Sequence, residues 1–222
     1  MNITILYDNT TSNSDLVADW GFSCLVKVRD RNILFDTGAN GKILFQNLQT
    51  LNINPQIFTD IVISHPDFDH IGGLSTILNL NEKAVIHNPI SFRGIRYANE
   101  VKYYREPTEI YHKIFLTGEL GNREQSLAVS TQKGLVIIIG CGHPGVESII
   151  NSLLEFDDII NSLSGFGKIH AIVGGLHGFD QYEVLENVDK VCATHCTQNK
   201  DKIKSLFPGK FIKGGVGRTI EF

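Results

Sequence analysis

ISHPDFDHIGG, residues 63–73, decides how this chain folds and where its chemistry sits. It continues the apolar run of Ile61, Val62 and Ile63 and sets His65, Asp67, Asp69 and His70 within six positions. Alternate positions of an extended segment point the same way, so His65, Asp67 and Asp69 can converge, while His70, at the entrance of a following helix, turns toward a neighbouring position. One loop could serve two metals. Neutral imidazole and carboxylate are donors for zinc, manganese or iron. An exposed turn would use some of the same residues, because Asp favours turns and N-caps and Pro66 an irregular backbone. Four such groups at the end of a buried strand, however, cost stability unless a cation or hydrogen bonds compensate. The reading therefore favours a metal. Gly72 and Gly73 carry no side chain and let the helix start come close to the site.

Working outward, TDIVISH is a buried strand and HIGGLSTILNL returns to helical spacing. Upstream, NITILYD reads as a strand, and FSCLVKVRDRNILFDTG as two strands joined by a tight turn at Asp30-Arg31-Asn32. Residues 41–51 carry a helical stripe of Ile43, Leu44, Leu48 and Leu51. Downstream, KAVIHNP is a strand, and residues 91–126 read as an irregular insertion or lid whose tyrosines, Tyr97, Tyr103, Tyr104 and Tyr111, suit a lid, an interface or internal packing. KGLVIIIGCGHPGV holds the strongest buried strand, with a helix expected over 146–163. KIHAIVGGLHG and DKVCATHCT repeat its grammar, followed by a short helix over 199–206 and closing strands GKFIKGG and GRTIEF. Strands ending near residues 64, 140 and 194 each deliver a histidine at the carboxyl end, where ligands collect in layered α/β folds. Histidines distant in sequence could then meet.

The 222 residues, 42% hydrophobic, suffice for one domain spanning 1–222 with a real core. Lys plus Arg number 20 against 24 Asp plus Glu, a net charge of -4, and no basic run would track a phosphate backbone, so a nucleic-acid partner is disfavoured. The opening MNITILYDNTTSNSD lacks the pattern of a signal peptide, and no apolar stretch approaches a membrane span. Cys24, Cys141, Cys192 and Cys196 lack CxxC spacing; free thiols and a cytoplasmic location are expected. The partner expected is a small molecule, with homo-oligomerisation left open.

On these motifs the chain resembles the metallo-β-lactamase-fold superfamily. Its H-x-H-x-D-H signature with following glycines stands here as His65-Pro66-Asp67-Phe68-Asp69-His70-Ile71-Gly72-Gly73, and LFDTG, with Asp36 and Gly38, matches the aspartate motif that precedes it. GCGHPG, GGLHG, ATHCT and the terminal GGVGRTIEF are similar to the dihydropterin-phosphate synthase-like metallohydrolase branch. The resemblance implies an α/β fold, a four-layer αββα sandwich. It also implies two divalent ions per chain, with zinc the leading choice and manganese or iron the alternatives. One would be held by His65, Asp67 and His143, the other by Asp69, His70 and His195, with Asp36 orienting a ligand by hydrogen bonds. Asp67 stands where the family usually has histidine, a harder donor that favours manganese or iron. Gly140-Cys141 stands where a bridging aspartate is usual; Cys141 either ligates as thiolate or packs, and Cys24 and Cys192 read as core.

Asp69 and His177 are the catalytic candidates. His177 either binds substrate and donates a proton or supports its strand end. KGGVGRT, with Lys213 and Arg218, reads either as a cradle for a substrate phosphate or as a glycine turn. His112 and His170 read as ordinary histidines, and His87 as core or as an edge of the site. The expected reaction is hydrolysis of a small ester, lactone or phosphoester by a hydroxide that two ions generate and hold. A pterin-phosphate synthase-like transferase and a non-catalytic binding protein on the same scaffold are the alternatives. A nuclease role, suggested by similarity to DNA-uptake channel domains, is opposed by the charge balance.

Overall fold

The computed structural model describes residues 1–159 and 168–222. The chain forms two compact units, Met1–Tyr103 with Gly214–Phe222, and Tyr104–Lys213.

The first unit begins with an antiparallel meander of β1 (Asn2–Tyr7), β2 (Ser23–Val28) and β3 (Arg31–Phe35). Val28 pairs with Arg31, so the hairpin turns at Arg29-Asp30, Arg29 adopting φ 52°, and not at Asp30–Asn32 as expected. Polar residues misplace the turn because Arg31 has a partner in the sheet: its guanidinium lies 3.6 Å from the buried Asp60 carboxylate. Next comes α1 (Gly41–Thr50), capped by Asn40, whose side chain accepts from Lys42 N–H at 2.9 Å. Leu44 and Leu48 of its stripe are fully buried, and Ile43 and Leu51 pack at the margin.

β4 (Asp60–Val62) runs parallel to β3 and delivers the chain to the metal-type motif. The motif folds as α2 (Phe68–Ile71), with α3 (Leu74–Leu80) following, before β5 (Val85–Pro89) and β6 (Glu100–Tyr104). A Cβ at Gly72 would overlap the Ala39 carbonyl, and one at Gly73 the Thr37 carbonyl. The glycine pair thus lets this helical start lie directly on the loop after β3, which carries Asp36.

The second unit holds β7 (Thr108–Tyr111), β8 (Ile114–Leu116), β9 (Leu127–Thr131), β10 (Gly134–Ile139), α4 (Val146–Ile159), β11 (Ile169–Gly175), β12 (Val188–Thr194) and α5 (Lys200–Leu206). The chain then returns to the first unit with β13 (Thr219–Glu221), which pairs with β1. The two sheets run β13-β1-β2-β3-β4-β5-β6 and β12-β11-β10-β9-β8-β7, both mixed. The α/β class with two mixed sheets and few helices is as expected.

Residues 91–126, expected to be irregular, contain β6, β7 and β8; strands of three to five residues are too short to show a period. GKFIKGG is not a strand. It meets β12 through two backbone bonds, Val191 N–H to Lys210 O at 2.9 Å and Ile212 N–H to Val191 O at 2.8 Å, and forms one isolated bridge at Phe211. Of the helix expected over 146–163, residues 160–163 lie outside the described residues. No helix among the described residues is long and apolar enough to cross a membrane.

Candidate metal centre

In the first unit the site grows from the ends of β3 and β4. Asp36 follows β3 with φ 53° and is completely buried. Its Oδ1 accepts from Ser64 N–H at 2.7 Å, and its Oδ2 accepts from Ser64 Oγ at 2.6 Å and His70 Nδ1 at 2.7 Å. The carboxylate fixes the proton of His70 on Nδ1, so Nε2 carries the lone pair that a metal takes. Ser64 extends the same logic. Its hydroxyl has one proton, which goes to Asp36, so at 2.8 Å from His65 Nδ1 it can only accept. His65 is therefore also protonated on Nδ1 and directs a lone pair from Nε2.

His65 Nε2 lies 3.4 Å from Asp67 Oδ2. Two electron-rich atoms at that distance repel unless a cation lies between them or the imidazole takes a second proton. His65 and His70 are both fully buried, their ring centroids 4.1 Å apart, and Asp69 is 8% exposed. Trp20 donates its indole N–H to Asp69 Oδ2 at 2.7 Å, fixing that carboxylate. Neither Trp20 nor Ser64 stands out in the sequence, since neither lies in a repeated pattern.

In the second unit a parallel construction appears at the end of β10. The backbone N–H groups of Cys141, Gly142 and His143 wrap around the Glu124 carboxylate at 2.9, 3.0 and 3.0 Å, and His143 Nδ1 donates to Oε2 at 2.9 Å. Glu124, 1% exposed, is, like Trp20 and Ser64, a partner of the candidate site that the sequence alone did not reveal. The signal that could have found it is indirect: a ligating His143 needs a carboxylate or carbonyl on its second nitrogen.

The loops after β11 and β12 carry His177 and His195, both in the left-handed region at φ 46° and 43°. Gly174 precedes the first turn because a Cβ there would overlap the Ile139 carbonyl. Thr197 Oγ accepts from Leu176 N–H at 2.9 Å, and Gln198 N–H donates to His177 O at 2.9 Å, tying the two loops together. His195 is 2% exposed; His177 is exposed, its ring centroid 5.1 Å from that of His143. A cavity of about 260 Å³ opens beside His143 and His177, lined also by Gly142, Gly145, Leu176 and Phe179. The Cys141 and Cys196 sulfurs stand 3.2 Å apart, close enough to share a proton. That shared bond holds the Cys196 thiol down to about 5, with His195 and His177 adding and burial opposing.

Cys24 and Cys192 are buried among core side chains as expected. His87 pairs with Asp60 inside the first unit at 3.0 Å, His170 bonds Asp189 at 2.9 Å, and the exposed His112 lies 3.9 Å from Glu109. Lys213 and Arg218 are exposed. Of the two readings of KGGVGRT, the glycine turn describes it: the N–H groups of Val216, Gly217 and Arg218 donate to the carbonyls of Thr10, Ile5 and Gly215. Those donors are spent on the fold.

The chain belongs to the metallo-beta-lactamase superfamily, whose family match spans residues 21–152. Among its relatives is 7,8-dihydropterin-6-methyl-4-(beta-D-ribofuranosyl)-aminobenzene-5'-phosphate synthase of Methanocaldococcus jannaschii, 26% identical and aligned over 95% of each chain. The resemblance to that branch is thereby supported. A solved metal-dependent hydrolase of the beta-lactamase superfamily is 27% identical with a TM-score of 0.76, covering 100% of this chain and 99% of its own. A diphosphatase from the PhnP family, 12% identical, shares the fold with a TM-score of 0.61 over 100% of this chain and 97% of its own.

Proposed function

We propose that residues 1–222 act as one functional domain, a metal-dependent hydrolase of a small phosphoester, ester or lactone. The family resemblance supports His65, Asp67, Asp69, His70, His143 and His195 as the residues that would hold two divalent ions. The observation that carries this reading is the protonation pattern set within each unit. Asp36 fixes His70 through Nδ1, Ser64 fixes His65 through Nδ1, and Glu124 fixes His143 through Nδ1. Three imidazoles are thus prepared as Nε2 donors by buried partners, and all three stand in the donor set that the family resemblance implies. The donor set of imidazole and carboxylate suits zinc, manganese or iron. When bound, such ions lower the pKa of water and stabilise negative charge on oxygen.

The remaining steps belong to the side chains. Trp20 holds Asp69 in one orientation, and Asp69 receives the proton of the attacking nucleophile. His177, exposed beside the 260 Å³ cavity, gives a proton to the leaving group. Lys213 and Arg218 supply positive charge for a substrate phosphate through their side chains. The name of the M. jannaschii relative, a phosphate-bearing product on a dihydropterin, supports a phosphorylated substrate and also a second reading, a synthase joining a dihydropterin to a phosphorylated partner.

The test is elemental analysis of wild type and His70→Ala, followed by turnover of phosphomonoesters, phosphodiesters and lactones. About two metals in the wild type, fewer in the variant and turnover with water alone support the hydrolase. Turnover only when a dihydropterin is added selects the synthase. No metal in either protein after anaerobic reconstitution overturns both.

A further inference from the structure

Cys141, His177 and Cys196 follow three adjacent parallel strands of a single sheet, β10, β11 and β12. One ligand atom from each lies within 4.8 Å of the others, and the two sulfurs are 3.2 Å apart. Both cysteines are buried, at 4% and 9% exposure, while His177 is exposed. The backbone is shaped around the sulfurs: a Cβ at Gly175 would stand 2.7 Å from Cys196 Sγ, so glycine makes room for it. The loop carrying Cys196 is fastened to the loop carrying His177 through Thr197 and Gln198.

Bond lengths decide what this triad suits. With Zn–S of about 2.3 Å and Zn–N of about 2.0 Å, tetrahedral coordination puts two sulfurs about 3.8 Å apart and sulfur and nitrogen about 3.5 Å apart. The pair reaches that by opening about half an ångström. A disulfide, at about 2.0 Å, needs the sulfurs to close by more than an ångström.

We propose that Cys141, Cys196 and His177 form a thiolate-rich site for a soft ion of the zinc, cadmium or copper(I) class. On binding, both S–H bonds break, two protons pass to solvent, two metal–sulfur bonds form, and neutral His177 donates a ring nitrogen, so that with the soft ion bound it no longer supplies a proton to a leaving group. Nothing is oxidised or reduced. A fourth position would be left to solvent or a small ligand.

Cobalt(II) alone is the probe, added anaerobically to reduced, chelator-stripped full-length protein. The expected result is a near-ultraviolet thiolate-to-cobalt charge-transfer band, halved in Cys141→Ser and in Cys196→Ser and lost in the double variant. It should persist in His70→Ala, so its fate is independent of the hydrolase reading. A second measurement needs no variant: cadmium should protect two of the four thiols from alkylation, and peptide mapping should place them at 141 and 196. A band that survives in the double variant, protection mapping to Cys24 or Cys192, or cobalt bound without a thiolate band would overturn the site. So would a Cys141–Cys196 disulfide that persists in the metal-free protein after treatment with a reductant.

Discussion

Replacing Glu124 by glutamine tests the argument most sharply, because the change keeps the shape and removes the charge. The carboxylate accepts from three backbone N–H groups and from His143 Nδ1. In Glu124→Gln the carbonyl oxygen can still serve Cys141 and Gly142, but the new NH₂ faces the His143 backbone N–H. One buried donor then loses its acceptor, at a cost of about 1–3 kcal/mol. The imidazole also responds: Nδ1 can bond the amide only by accepting, which moves its proton to Nε2, the atom proposed to bind metal. Losing such a supporting partner typically weakens metal affinity by about 10–100-fold. Two measurements separate the effects. Urea unfolding of the metal-free protein should show the midpoint lowered with an unchanged slope, and chelator competition should show one ion weakened. If glutamine leaves both stability and metal affinity at the wild-type level, the assignment of Glu124 as the partner that orients His143 is wrong.

Gly72→Ala should lower stability by about 1–3 kcal/mol, since its Cβ has no room beside the Ala39 carbonyl; equilibrium unfolding in urea reads this, and a neutral result refutes the close packing. Asp67→His should shift metal preference from manganese or iron toward zinc, measured by competition between the ions; unchanged selectivity would remove Asp67 from the donor set. Arg218→Ala should raise KM for a phosphorylated substrate with metal content intact, by about 10-fold if one charge-assisted bond is lost. An unchanged KM would take Arg218 out of substrate binding.

Reading the chain alone recovered elements that are wholly buried or that carry an unusual cluster. Leu135 to Ile139 are all completely buried in β10, so their apolar run is unmistakable. His65 to His70 announce themselves because no core accepts such a group without compensation. The failures have a common cause in short range. β7 and β8 are held by a sheet whose stability comes from β9 and β10 beside them, and three or four residues cannot display that. The glycine-rich terminus was ambiguous for a similar reason: whether its amides face a ligand or a strand depends on Ile5 and Thr10, at the other end of the chain.

Asp36 and Glu124 solve one problem by two routes, and this explains why only the first was legible. A buried carboxylate is tolerated when hydrogen bonds replace its water, and each of these has its bonds from backbone N–H groups as well as from an imidazole. Asp36 sits in LFDTG, directly after the strand beside the one that delivers Ser64 and His65, so a recognisable motif carries it. Glu124 lies 17 residues before the first amide it binds, on a loop preceding β9, and its partners are backbone atoms with no identity in the sequence. Yet both leave the same result, an imidazole protonated on Nδ1 with Nε2 as its donor. Each carboxylate acts within its own unit, with no ion needed to complete its bonds. Orientation of His70 and His143 is therefore a property of the folded polypeptide, and a metal would meet donors whose protons have already been assigned.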